Sequence, residues 1–260
     1  TLIKNHPDVQ RMLYFQKAIV EGSMGLLFQC FMWDDLAKSL EGEEKKEAQM
    51  MLDLMTTVAK TYPAEMGTLA VNQGLQVLGG YGYTEDFPLE QMARDVRIMS
   101  IYEGTTGIHG LTLLGRGIPA NNGAALQTLG KLVFADIAVA KGHESLAKYA
   151  SILEKELENL TKVTMHKLGF AMKGEIEVFL ADSTLYMELF GLITVAWQWL
   201  KQGHVAAAAL AKGGLSSEDE AFYKDKIHTM KFFYHYEVPK ALGLSKRLMD
   251  EEVLTIFDHK

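Results

Sequence analysis

An all-α protein is what this sequence predicts. Three observations carry that expectation. The 260 residues contain only five prolines. Apolar residues recur at steps of three and four, the period of a helix face. The strict alternation of apolar and polar residues that marks a half-buried strand is almost missing.

The elements follow in order. Met12, Phe15, Ile19, Gly22, Leu26, Cys30 and Trp33 share one stripe and predict a single long helix. A second helix starts near Glu43 and carries Met51, Leu54, Met55 and Val58. Pro63 should break or restart it, because proline offers no N–H to the helical ladder. The restarted helix, 64–78, should stop at Gly79-Gly80. "GGYGYTEDFP" then reads as a glycine-rich loop, followed by a short helix over about 88–99, the "IYEGTT" turn, and a helix to about Leu114. The cluster of Gly, Pro and Asn in "GRGIPANNGAA" (115–125) is the strongest boundary signal in the chain. Beyond it four or five more helices are expected. One carries Leu146, Tyr149, Leu153, Leu157, Leu160 and Leu168. The next, 174–201, is apolar nearly all round and should be the buried centre of its own bundle. Ser217 with Glu220 suggests a capping box for a helix over 218–236, which Pro239 should end.

Composition narrows the function classes. A net charge of −7 argues against duplex nucleic acid, which is held by clustered Lys and Arg. The run "EGEEKKEAQ" (41–49) is balanced by its own glutamates and reads as a solvated helix face with i,i+4 pairs. Cys30 is the single cysteine, so no disulfide can form within the chain, and a reducing, cytoplasmic setting is expected. The uncharged stretch "LFGLITVAWQWL" (189–200) is too short to span a bilayer, which takes about twenty residues. We therefore expect a core helix and no membrane span. The chain opens at Thr1 on a helical pattern with neither an initiating Met nor a leader-like segment, which suggests a piece of a longer protein.

Two stretches could carry chemistry. Glu103 is the only carboxylate between Arg97 and Arg116. It is either an ordinary acid complementing the dipole of the following helix or a base kept dry by Ile101 and Tyr102. Thr105 or Thr106 could cap that helix and leave its N–H groups facing an anion or cofactor oxygen. In "QVLGGYGY" (76–83), Gln76 stands one turn before two glycines that would let the backbone approach a phosphate. The same residues could equally form a helix C-cap and a loop. His228 and His235 lie two turns apart on one helix face, unlike the i,i+4 pair of a catalytic zinc helix, so no metal site is expected. The stripe "MKFFYHY" (230–236) reads as core and interface packing.

Order and spacing say more than any one motif. "NQGLQVLGGYGYTEDFPLEQMARDVRIMSIYEGTTGIHGLTLLGR" (72–116) closely resembles the C-terminal helical domain of flavin-dependent acyl-CoA dehydrogenases. The resemblance rests on Gln76 with Gly79, Gly80 and Gly82, on Phe87-Pro88 with Glu90, on Arg94-Asp95, and on "IYEGT" at 101–105. "HPDVQRMLYFQKAIVEGS" (6–23) resembles the preceding helix of a longer subgroup, in which an extra helical domain follows. Gly107 fits that subgroup, and His109 stands where many members have Gln.

The resemblance implies a division into 1–119, the C-terminal helical domain of the dehydrogenase, and 120–260, the extra helical bundle. It implies that Glu103 is the base that removes the α-proton of an acyl-CoA thioester while the β-hydrogen leaves as hydride to FAD. Tyr102 and Gly104 would line the thioester. Gln76, Val77, Leu78, Gly79 and Gly80 would touch the flavin dinucleotide, often that of a neighbouring subunit, and Thr105 and Thr106 would contact the same cofactor. Arg94 and Asp95 would pair to hold the loop. An electron-transfer acceptor protein and a homodimer or higher homo-oligomer are implied as partners. The N-terminal and middle β domains of the family are not found in these residues, so the piece alone is expected to be inactive. An acyl-CoA oxidase and a non-catalytic helical interaction module remain the alternatives.

Overall fold

Pro7 sits at the first turn of α1 (Pro7–Ser39), where its missing N–H is no loss. The computed structural model describes residues 2–256 and shows helices throughout, with no strand among the described residues. The 33 residues of α1 span about 50 Å at helical rise. Two residues separate it from α2 (Gly42–Leu78), so the two lie side by side as an antiparallel hairpin. All seven residues of the predicted α1 stripe are buried.

Pro63 does not break α2. The helix runs through it, because buried side chains on both sides, Met55 and Val58 before and Met66 and Ala70 after, hold the whole length against the core. Proline removes one ladder bond, and that local loss is outweighed by packing along the helix. On the solvated first turns Lys46 pairs with Glu43 at i,i+3 rather than at the anticipated i,i+4. Gly79, with φ +62°, ends α2 as predicted. The stretch after it is a tight 3-10 turn (Gly79–Tyr83) rather than open loop. α3 (Leu89–Arg97) folds back onto α2, and α4 (Thr106–Thr112) continues into a π turn at Leu113–Gly117. Left-handed Asn121, Asn122 and Gly123 then reverse the chain.

α5 (Ala124–Lys141) and α6 (Glu144–Met172) form a second hairpin. Within α6, Leu146, Tyr149, Leu153, Leu157 and Leu160 are buried as predicted, and Leu168 is half-buried. Ala120–Lys141 is long and apolar enough to cross a bilayer by length and composition. Leu129, Val133 and Ile137 of α5 are nevertheless buried in the bundle, and one such helix does not indicate a span. The predicted helix over 174–201 is two: α7 (Ile176–Leu180) and α8 (Ser183–Lys212), parted at Ala181-Asp182. In α9 (Ser217–Tyr236) the cap lies one residue earlier than predicted. Ser216 Oγ accepts from the Asp219 N–H at 3.1 Å, so the N-cap is Ser216. α10 (Lys240–Leu248) begins after Pro239.

α8 is the pivot of the molecule, not of its own bundle alone. Residues 189–200 are all buried, and the helix touches α1, α2 and α4 as well as α5, α6, α9 and α10. Two small residues bring the backbones close. A Cβ on Gly22 of α1 would lie 2.5 Å from Trp199 Nε1, and one on Gly191 of α8 would lie 2.7 Å from the Tyr62 ring. Trp199 Nε1 donates to the Ala18 carbonyl at 3.0 Å, fastening α8 to α1. The buried apolar residues of both halves form one continuous cluster. Cys30 lies in it, and burial pushes its thiol up to about 11.

A candidate active-site turn before α4

The chain between α3 and α4 turns at Glu103 and Gly104, which adopt φ +51° and +93°. Positive φ is rare for a residue with a side chain and marks a conformation imposed from outside. The backbone bonds of the lead-in end with the Ile101 and Tyr102 N–H groups donating to the Ile98 carbonyl, at 2.9 and 3.1 Å. They resume with His109 N–H donating to the Thr105 carbonyl at 3.0 Å. Between them, side chains hold the turn. His109 Nε2 lies 3.1 Å from the Glu103 carbonyl, a contact that requires the ring nitrogen to carry its proton. Lys60 of α2 donates from Nζ to the Gly104 carbonyl at 2.7 Å. The Thr106 hydroxyl donates to the Glu65 carboxylate. Thr105 is the N-cap of α4, its Oγ1 accepting from the Ile108 N–H at 3.4 Å, in line with the anticipated capping role. Gly104 also has a steric reason to be glycine: a Cβ there would sit 2.7 Å from His109 Nε2.

The dry wall that one reading of Glu103 calls for is not supplied by the described residues of this chain. Glu103 is exposed, and Ile101 and Tyr102 are 47% and 45% exposed. Tyr102 Oη reaches only Met99 Sδ, at 3.1 Å. Ile98, Met99, Ile108 and Leu111, before and after the turn in the chain, are exposed as well.

The other predicted segment lies apart from this turn. Gln76, Gly79 and Gly80 are exposed and Val77 and Leu78 half-buried at the far end of α2. Glu65, which holds Thr106, precedes Gln76 by eleven residues on the same helix, roughly 16 Å of axial rise. Glu103, Gly104, Thr105 and Thr106 are thus brought together, and Gln76–Gly80 forms a second station. A Cβ at Gly79 or Gly80 would meet nothing within 4 Å, so the backbone there is open to close approach. Arg94 does not pair with Asp95. It pairs with Glu90 at 3.1 Å, because residues four apart share a helix face and adjacent ones do not.

Sequence reading missed Lys60, Glu65 and Glu188. The last two face a cleft of about 410 Å³ between α2, α4 and α8, beside Thr106. The buried Tyr62 Oη and Thr61 Oγ1, also on that cleft, have no hydrogen-bond partner among the described residues. Burial raises the Glu188 carboxyl above its usual value; Lys240 opposes this and Glu65 adds to it. No local motif announces these residues, since only the packing of α8 on α2 joins them.

Comparison with known proteins agrees with this architecture. Residues 5–118 match the family described as "Acyl-CoA dehydrogenase, C-terminal domain", and residues 129–256 match "Acetyl-CoA dehydrogenase C-terminal like". The broad-specificity linear acyl-CoA dehydrogenase of Mycobacterium tuberculosis is 30% identical over 238 residues, covering 89% of this chain and 39% of that protein. Caenorhabditis elegans ACDH-11, solved in complex with C11-CoA, superposes with a TM-score of 0.70 at 23% identity, over 98% of this chain and 38% of that one. An acyl-CoA dehydrogenase from Bacillus anthracis, solved with FAD, gives a TM-score of 0.67 at 19% identity, over 95% of this chain and 41% of that one. This chain thus spans about two-fifths of the length of the proteins it matches. The predicted all-helical fold and family resemblance are both met, and the chain belongs to the acyl-CoA dehydrogenase family, whose C-terminal helical region it represents.

Proposed function

We propose that this chain is the base-bearing part of an FAD-dependent acyl-CoA dehydrogenase that introduces a trans-2,3 double bond into an acyl-CoA thioester. The observation that carries this reading is the turn itself. One carboxylate, Glu103, is presented on a left-handed, side-chain-clamped turn next to the exposed Ile101 and Tyr102. It lies within the segment that matches the C-terminal domain of the family.

Glu103 takes the α-proton onto its carboxylate, and the electron pair left behind forms the new double bond as the β-hydrogen departs. Tyr102 and Gly104 flank the thioester. Substrate covering Ile101 and Tyr102 would remove water from Glu103, which raises its basicity toward what abstraction next to a thioester needs. FAD, when bound, supplies the acceptor for the β-hydride. The residues present suit that cofactor: Gly79 and Gly80 leave backbone open to a phosphate, and Thr105 and Thr106 stand beside the base. The homo-oligomeric reading comes from the family resemblance, in which a segment like Gln76–Gly80 often reaches the flavin of a neighbouring subunit. An electron-transfer acceptor protein would reoxidise the flavin.

In the holoenzyme, Glu103→Gln should lower kcat by ~10²–10⁴ with the circular dichroism spectrum and melting temperature unchanged. Near-normal turnover in that variant would remove Glu103 from the reaction.

A further inference from the structure

We propose that Lys60 is a positioning residue for Glu103: from the middle of α2 its ammonium group fixes the left-handed turn on which the base is carried. The proposal rests on the reading of Glu103 as base and concerns how that base is held.

Among the described residues, Glu103 and Gly104 make no backbone-to-backbone hydrogen bond, although both sit at positive φ. A turn in that region left to itself would relax, because a residue with a side chain, such as Glu103, rarely adopts such φ. The clamps are side chains. His109 comes from the helix that follows the turn and moves with it. Lys60 is 44 positions away and anchored in a different element. Its neighbours Thr57, Val58, Thr61 and Tyr62 are buried, so the root of its side chain is fixed in the core. Glu65, just over one turn further along α2, grips Thr106 on the other side of the turn. A charged donor to a carbonyl is among the stronger hydrogen bonds, and Lys60 is half-buried, where water competes less. The consequence is a base set in place by the scaffold before substrate arrives. Displacing a catalytic group by about 1 Å can cost 10²-fold in rate.

Two measurements test this. The first is ¹⁵N relaxation on the 260-residue chain, reading the Gly104 and Thr105 amides. With Lys60 in place their order parameters should approach ~0.85; Lys60→Met should bring them below about 0.6, and Lys60→Arg should restore them. The second is steady-state kinetics on the holoenzyme. There Lys60→Met should lower kcat by about 10–10²-fold with KM changed less than about twofold, and Lys60→Arg should recover most of kcat. Unchanged order parameters, an unchanged kcat, or failure of Arg to restore either would overturn the proposal. Glu103→Gln measured alongside separates the two ideas. Normal turnover in that variant sinks the assignment of the base, while the order parameters of Lys60→Met still decide the clamp.

Discussion

Glu237 shows how a single residue can set a pH dependence. It is buried at the end of α9, and burial raises its carboxyl above the ordinary value of 4.5. The Lys240 side chain, bonded to it at 2.5 Å, and the more distant Arg11 pull the other way. With the folded pKa raised, the folded chain binds this proton more tightly than the unfolded chain does. The associated stability is full below 4.5 and is lost as pH rises through the folded value. Glu237→Gln removes that loss. The difference in melting temperature between this variant and the parent should therefore move in the variant's favour between pH 4.5 and 7. Lys240→Met removes the nearest opposing charge and should extend the sensitive window to higher pH. Thermal melts at four or five pH values decide both.

At the scale of elements, helices cross where side chains are smallest. Ala exceeds Gly in helix propensity by about 1 kcal/mol, so Gly22→Ala looks stabilising from sequence alone. The structure reverses the sign. The added Cβ would lie 2.5 Å from Trp199 Nε1 and 2.7 Å from Val195 Cγ1, and the indole is held by its bond to Ala18. Overpacking of this kind costs typically 1–3 kcal/mol. We expect urea denaturation to show Gly22→Ala less stable by about 1–2 kcal/mol. Pro63 teaches the converse. Its residue type argues for a break, yet α2 continues because the packed face runs past it on both sides.

The whole molecule has one core. α8 buries Trp197 and Trp199 among residues from both halves of the chain, and Tyr62 of α2 lies against Gly191 of α8. A chain cut after residue 119 would leave the inner faces of α1 and α2 without that cover. It should keep helical far-ultraviolet dichroism but lose cooperative thermal unfolding and near-ultraviolet signal. A sharp melt for residues 1–119 alone would show that the first half stabilises itself.

Sequence by itself determined the helical class, the α1 stripe, the stop at Gly79-Gly80, a cap at Thr105 or Thr106 and the position of the turn carrying Glu103. These are local: period, glycine and capping chemistry act within a few residues, and the motif order over 72–116 is written along the chain. Only the tertiary structure decided that α8 serves both halves, that Glu103 is exposed, and that Gln76–Gly80 stands far from it along α2. It alone joined Lys60 and Glu65 to the turn. Such contacts depend on which helix faces meet, and a stripe of spacings says that a face is apolar without saying what covers it.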